Sequence, residues 1–436
     1  MSDPLVIGML GLAGMFLLIA LHVPIGVAMG IAGFLAFAAN SGFAPAVSLF
    51  GTEAASAMGN LDLVAIPLFL LMGGFASTAG LSSDIYRLAH AMIGHKRGGL
   101  AASTILGCAG FGAVCGSSVA TASAMTSVAL PEMRSRGYQP ALATGCIAAG
   151  GTLGILIPPS IIMVIYALLT EQFVITLYVA AVIPSVIAVA LQLLAVAWVV
   201  RADPLAGPAG PRVAWPQRLA AVRGSWAVVA LVLIIFGGIY GGVFTVNEAA
   251  AIGAALSFVV TVGRRRLTKA LLIRTLVETA STTGMIYMVL IGANVLTYFV
   301  TSSGMPAAMV AGIQNLGLPP LLVITVLLIL YIIAGAIFEE VSVMLITLPF
   351  VLPVIVGFGY SPVWWGIINV IVIEIGMICP PIGLNVFVVH GLTRDIPLKT
   401  IYSGIMPFLY ADIARLALLV ALPGITLWLP DLMGLK

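Results

Sequence analysis

The sequence predicts an all-α polytopic membrane protein built from two inverted repeats, each with a re-entrant hairpin and a broken helix. Three observations predict it. Of its 436 residues, 61% are hydrophobic and only 8% charged, with a mean hydropathy of +1.20, too little charge to cover a soluble surface of that size. Two apolar runs are each interrupted by a double proline, Pro158-Pro159 and Pro380-Pro381. When the chain is laid on itself so that Pro158 falls on Pro380, Gly154 falls on Gly376, Pro131 on Pro353, and Gly137-Tyr138-Gln139-Pro140 on Gly359-Tyr360-Ser361-Pro362 without a gap.

Proline donates no backbone hydrogen bond, so in a helix Pro158 and Pro159 would leave the carbonyls of Gly154 and Ile155 without partners. In hydrocarbon such a group costs several kcal/mol and is kept only where it lines a protein cavity or holds an ion. A kink that aids packing is the plainer reading, since proline is frequent in membrane helices. Doubling, recurrence at one offset and neighbouring glycines favour a binding site, because interrupted segments in corresponding positions of two halves mark secondary transporters.

In chain order, apolar runs at about 5–21 and 24–39 are predicted to span, each long enough to cross or nearly cross ~30 Å of hydrocarbon. The first is expected to be a retained span, since Met-Ser-Asp-Pro-Leu carries no basic leader region. The stretch 41–62, with Glu53 and Asp62, reads as an interfacial arm, and 66–80 as a span. Arg87, His90, His95, Lys96 and Arg97 read as a cytoplasmic loop. From about 99 to 131 the chain is apolar with basic residues on both flanks. Too short for two crossings of ~20 residues each, it is predicted to be a hairpin with its tip at Gly116-Ser117-Ser118. A broken helix over about 141–169 follows within a first repeat of 1–200. Residues 201–224, rich in Pro, Gly and Arg, are the cytoplasmic linker.

The second repeat, 225–436, is predicted to hold spans at about 225–242, 245–262, 281–300 and 404–429, an amphipathic arm at 267–278, a hairpin at about 321–353 and a broken helix at about 363–390. The flanks of that hairpin carry no Lys or Arg, so it is expected to enter from the periplasm, with both termini also periplasmic. The four cysteines sit in apolar segments and read as packing residues. No nucleotide-binding glycine loop, zinc motif or nucleophile motif is present.

Three stretches, Gly116-Ser-Ser-Val-Ala-Thr121, Gly154-Ile-Leu-Ile-Pro-Pro-Ser160-Ile161 and Pro380-Pro-Ile-Gly-Leu-Asn385-Val-Phe-Val388, resemble the large membrane subunit of the tripartite ATP-independent periplasmic (TRAP) transporters, over essentially the full length. The resemblance implies an elevator-type, sodium-driven importer of organic acids or related small solutes in the bacterial inner membrane. It implies two partners on separate chains, a small four-span membrane subunit and a soluble periplasmic substrate-binding protein. Two positions depart from the pattern: Cys379 stands where the family commonly has threonine, and Glu340 is an additional acid beside Glu339.

The coupling ion is expected to be Na⁺, with no organic cofactor and no catalytic residues. Its ligands are predicted at the hairpin tips and helix breaks: Ser117, Ser118, Gly154, Glu339 and Gly376. The wider ion and solute site adds Thr121, Gly151, Thr152, Pro158, Pro159, Ser342, Glu374, Pro380, Pro381 and Asn385. Small residues such as Ser117, Ser118 and Thr121 also serve plain helix packing, whereas carboxylates inside a membrane are functional candidates by default. Asp412 and Arg415, three residues apart, read as a structural pair. Two rivals remain: a self-sufficient divalent-anion/sodium symporter of similar architecture, and an intramembrane enzyme. The first is separated by whether genes for the two partners lie beside this one. The second would need a nucleophile or metal set.

Overall fold

The computed structural model describes residues 4–435, and every regular element among them is helical. The first half runs through α1 (Pro4–Ala20), α2 (Ile25–Ser41), α3 (Phe43–Gly59), a short turn of 3-10 helix at Leu61–Val64, α4 (Ala65–Ala79) and α5 (Leu81–Ile93). It continues into the hairpin α6 (Gly99–Cys115) and α7 (Ser118–Ser135), the broken pair α8 (Pro140–Leu156) and α9 (Ile161–Leu169), and α10 (Val174–Ala202). After α11 (Trp215–Gly224) the plan repeats as α12 (Trp226–Tyr240), α13 (Val246–Gly263), α14 (Lys269–Ser302) and α15 (Met305–Asn315). A second hairpin, α16 (Pro320–Ile337) and α17 (Glu340–Gly357), leads to a second broken pair, α18 (Pro362–Ile378) and α19 (Leu384–Leu392), then α20 (Leu398–Ala421) and α21 (Gly424–Leu432). The offset that carries Pro158 onto Pro380 also carries the first residues of α1, α7 and α8 onto those of α12, α17 and α18.

Four stretches differ from the sequence expectation. The basic segment after α4 is mostly the amphipathic helix α5, which buries Leu81, Tyr86, Ala89 and Ala91 while Arg87 stays exposed. The arm at 267–278 and the span at 281–300 form one 34-residue helix, α14, because no proline interrupts Lys269–Ser302. An Arg274–Glu278 pair (2.7 Å) also supports its first turns. The linker contains α11, and the last span divides into α20 and α21 at Pro423.

Contacts at the helix ends fix the directions. Gly98 N–H donates to the Gly207 carbonyl (2.9 Å), Gln139 N–H to Ala206 (3.1 Å), and Arg134 pairs with Asp395 (2.8 Å), whose carboxyl it holds below the usual range. The base of the α6–α7 hairpin, the start of α8, the linker and the end of α19 therefore share one face. At the other face the Tyr166 hydroxyl at the end of α9 donates to the Pro362 carbonyl at the start of α18 (2.7 Å). The two broken pairs run in opposite directions, and the hairpins enter from opposite faces. Apart from Arg415 and the terminal Lys436, every Lys and Arg falls in the segments 87–97, 134–136, 201–223, 264–274 and 394–399, the loops and helix ends on the side of the first hairpin's base.

Packing separates two bodies. One gathers the hairpins, the broken pairs, α10 and α20; the other is a scaffold of α1–α4 and α12–α14. Within the scaffold α2 and α14 touch backbone to backbone: a Cβ added at Gly33 would lie 2.8 Å from the Leu296 amide nitrogen, the close approach small residues permit in membranes. The bodies meet chiefly where α4 packs on α6 and α14 on α17.

Candidate functional site

At the first tip, α6 ends at Cys115, Gly116 takes φ 64°, and Ser117 caps α7. The Ser117 carbonyl accepts the Thr121 amide (3.1 Å) and hydroxyl (2.7 Å). The break between α8 and α9 lies against this tip. A Cβ at Gly154 would lie 2.8 Å from Thr121 Oγ1 and 2.9 Å from the Ser117 carbonyl oxygen, and one at Gly116 would lie 2.9 Å from the Pro159 carbonyl. Glycine at 154 thus lets the break approach Thr121 and the Ser117 carbonyl, and glycine at 116 admits the Pro159 carbonyl; oxygens are the donors a hard cation takes. Of the carbonyls expected to be freed by the prolines, that of Ile155 is occupied by the Ser160 hydroxyl (2.5 Å). Thr152 is turned inward to its own helix, bonding the Ala149 carbonyl (2.8 Å), and Gly151 packs against Ala122.

The second tip repeats this backbone with other chemistry. Glu339 caps α17, its carboxylate accepting the Ser342 amide (3.2 Å) and hydroxyl (3.3 Å). Gly376 packs on Gly335, and Gly383 N–H donates to Ala336 (3.2 Å). The Gly376 carbonyl accepts the Cys379 amide (3.1 Å) and the Tyr402 hydroxyl lies 2.7 Å from the Pro381 carbonyl. These oxygens have partners yet keep a second lone pair each.

The halves join through Asn385. Its side-chain amide donates to the Ser118 hydroxyl (2.6 Å) and the Ala148 carbonyl (3.2 Å), while its Oδ1 is buried with no donor among the described residues. α19 packs on α7 and α8, and α9 on α17 and α18, so each broken helix reaches the other half's hairpin.

Glu374 is bonded on the side of α20. It is fully buried and bonded to Arg415 (2.8 Å), which also meets Asp412 (3.2 Å). The pair read from sequence is a triad, and sequence reasoning missed the third member because α18 and α20 are brought together only by the fold. Glu340 follows Glu339 as the first residue of α17, and its Oε2 is buried with no hydrogen-bond partner among the described residues.

Two of the cavities between the bodies reach a hairpin. The larger, about 680 Å³, reaches the first tip and is lined by Ser117 and Ser123 on one side and Arg274, Thr275, Thr279 and Thr282 on the other. The smaller, about 450 Å³, lies among Glu53, Asn60, Glu171, Asn294 and the outer half of α17, from Leu345 to Pro353.

The family model for the "Tripartite ATP-independent periplasmic transporter, DctM component" matches residues 12–425. The chain is similar to the C4-dicarboxylate TRAP transporter large permease protein DctM of Pseudomonas aeruginosa, at 36% identity over 94% of this chain and 95% of that one. It is 33% identical to the protein of the same description from Vibrio cholerae, over 94% of each. The ectoine TRAP transporter large permease protein TeaC of Halomonas elongata is 30% identical over 85% of this chain and 86% of that one. Among solved structures, the Alcanivorax borkumensis YdaH transporter shares the fold, with a TM-score of 0.61 at 14% identity over 97% of this chain and 98% of that one.

Proposed function

The chain belongs to the DctM-component family of tripartite ATP-independent periplasmic transporters, and from that premise we propose that it is the sodium-coupled permease of an organic-acid importer. It is a transport subunit, not an enzyme. C4-dicarboxylates are the first solutes to try, since the Pseudomonas aeruginosa and Vibrio cholerae relatives both carry that name. Solute arrives from a soluble periplasmic binding protein, and a small four-span membrane subunit completes the complex. The cluster of Lys and Arg on one face supports a cytoplasmic placement of the first hairpin's base in the bacterial inner membrane, with both termini periplasmic.

The observation that carries the reading is the crossing at Asn385. The first hairpin's tip meets the second half's broken helix, and the second hairpin packs on the first half's, an arrangement that supports ion and solute sites between the halves, where such transporters hold them. Na⁺ would sit beside the Ser117 carbonyl, Thr121 and Gly154 on one side and beside Glu339 and Gly376 on the other. Ser118, Asn385 and Ser342 are the side chains between them assigned to the solute. The hairpin-bearing body slides against the scaffold as one unit, since α8, α18, α10 and α20 pack together.

The test is uptake of radiolabelled succinate into proteoliposomes holding this chain with its membrane partner, with binding protein outside. Uptake is expected to require an inward Na⁺ gradient and the binding protein. Uptake at full rate by this chain alone would establish the self-sufficient symporter instead.

A further inference from the structure

The two cavities are repeat mates on the scaffold side and not on the hairpin side. At the repeat offset, Glu53, Ala57 and Asn60 of the smaller cavity fall on Thr275, Thr279 and Thr282 of the larger. On the hairpins the larger cavity takes Ser117 to Ser123, beginning at the tip. The smaller takes Leu345 to Pro353, whose mates are Ser123 to Pro131, further down the hairpin. Corresponding scaffold surfaces thus meet the two hairpins in registers about six to eight residues apart, ~9–12 Å along a helix.

Two halves of the same fold, inverted, can exchange these registers. In the exchanged arrangement the second tip would stand against α3 as the first tip stands against α14 here. Where the first half brings Ser117 to Thr275, the second would bring Glu339 to Glu53. Glu53 is already buried, 8% exposed, and its carboxylate is held by the Asn294 amide (3.0 Å). Among the described residues no Lys or Arg lines that cavity. Two carboxylates brought together away from water repel unless a cation neutralises them.

We infer that Glu53, held by Asn294, is the scaffold group that receives the second hairpin's tip at Glu339 in the exchanged, periplasm-open register, with one monovalent cation between the two carboxylates. This rests on the sliding motion and the Na⁺ beside Glu339 proposed above, and gives that cation a second carboxylate at one end of the motion only. A ligand bound more tightly in one register shifts the population toward that register.

The test is disulfide cross-linking in membrane vesicles that contain the full chain and its partner subunits. Cys108, Cys115, Cys146 and Cys379 are first replaced by serine or alanine. One pair, Ala57→Cys with Val341→Cys, is the repeat mate of Thr279 and Val119, which line one cavity here. The other, Thr279→Cys with Ser127→Cys, is the mate of Ala57 and Pro349, which line the other. Both pairs report the exchanged register. Both yields are expected to rise about fivefold or more in NaCl over choline chloride, within the usual range of coupling between sites. Glu53→Gln is expected to abolish the Na⁺ dependence while both cross-links still form, and Glu53→Asp to retain it. Cross-links that form without any Na⁺ effect, or a Na⁺ effect that survives Glu53→Gln, would overturn the role of Glu53 and leave the sliding intact. Failure of both pairs to cross-link in any condition, in protein that inserts normally, would remove the sliding motion and the inference together.

Discussion

The side-chain amide of Asn385 donates to the hydroxyl of Ser118 at 2.6 Å, tying the second half's broken helix to the first half's hairpin tip. At the repeat offset the mates of this pair are Met163 and Glu340. A thioether has no proton to donate, and Glu340 Oε2 has no partner among the described residues. Thr152 likewise has Glu374 as its mate. The two halves share a backbone plan, but hydroxyls on one side are carboxylates on the other, so the ends of the transport path are chemically unequal.

Asn385→Ala is expected to lower stability by ~1–3 kcal/mol, because the Ser118 hydroxyl and Ala148 carbonyl lose a donor inside the membrane. Ser118→Ala should cost less, and the double variant less than the sum, since the two residues act as one contact. Thermal unfolding of the detergent-purified protein measures all three. Strict additivity would show that the bond contributes nothing.

Arg415→Gln is expected to destabilise the protein by ~3–5 kcal/mol, because it leaves Glu374 and Asp412 as buried carboxylates without their cation. Adding Glu374→Gln and Asp412→Asn should recover much of the loss. A triple variant as unstable as the single one would mean that Arg415 acts through packing, with charge unimportant. Expression level and melting temperature read the outcome.

The inverted arrangement predicts opposite accessibility for repeat-mate loops. A cysteine at Ser135, between Arg134 and Arg136, should react with an impermeant maleimide only from the cytoplasm, and one at Ser361 only from the periplasm. Labelling of both from one side would contradict the antiparallel course of the broken pairs.

The breaks and tips were legible in the sequence because glycine, proline and small polar residues are conspicuous in an apolar run, and their recurrence in the second half doubled the signal. The hairpin expected at 99–131 is α6 and α7, closed at Gly116 and Ser117. α5 was not legible as a helix, because its basic residues resemble a loop when its buried face is unknown. The partner of Glu374 was not legible either, since Arg415 lies 41 residues away on another helix. Nor could sequence show that Ser160 occupies the Ile155 carbonyl, a bond that depends on the conformation of the break itself.

The last prediction concerns what the prolines do. α8 stops at Leu156 and α9 starts at Ile161. The intervening residues turn the Pro159 carbonyl toward Gly116 and the Ser160 hydroxyl toward Ile155. Replacing Pro158 and Pro159 with alanine removes a local obstacle worth ~3 kcal/mol per proline in a helix interior, so a continuous helix becomes favourable. The variant should insert and be stable, yet lose Na⁺-dependent uptake, because the oxygens facing the tip are withdrawn into helical bonds. Pro380 and Pro381 should behave alike. Gly154→Ala makes a useful contrast: its Cβ would crowd Thr121 Oγ1 at 2.8 Å and the Ser117 carbonyl at 2.9 Å. It should therefore lose stability and transport together. Ser117→Ala should be the mildest, since the hydroxyl has only a 3.4 Å contact with the Ala120 amide and the carbonyl stays in place. Na⁺ titrations of uptake, with melting temperatures alongside, rank the variants. If the proline variant keeps its Na⁺ dependence, the breaks are packing kinks, and the ion site assigned to them falls.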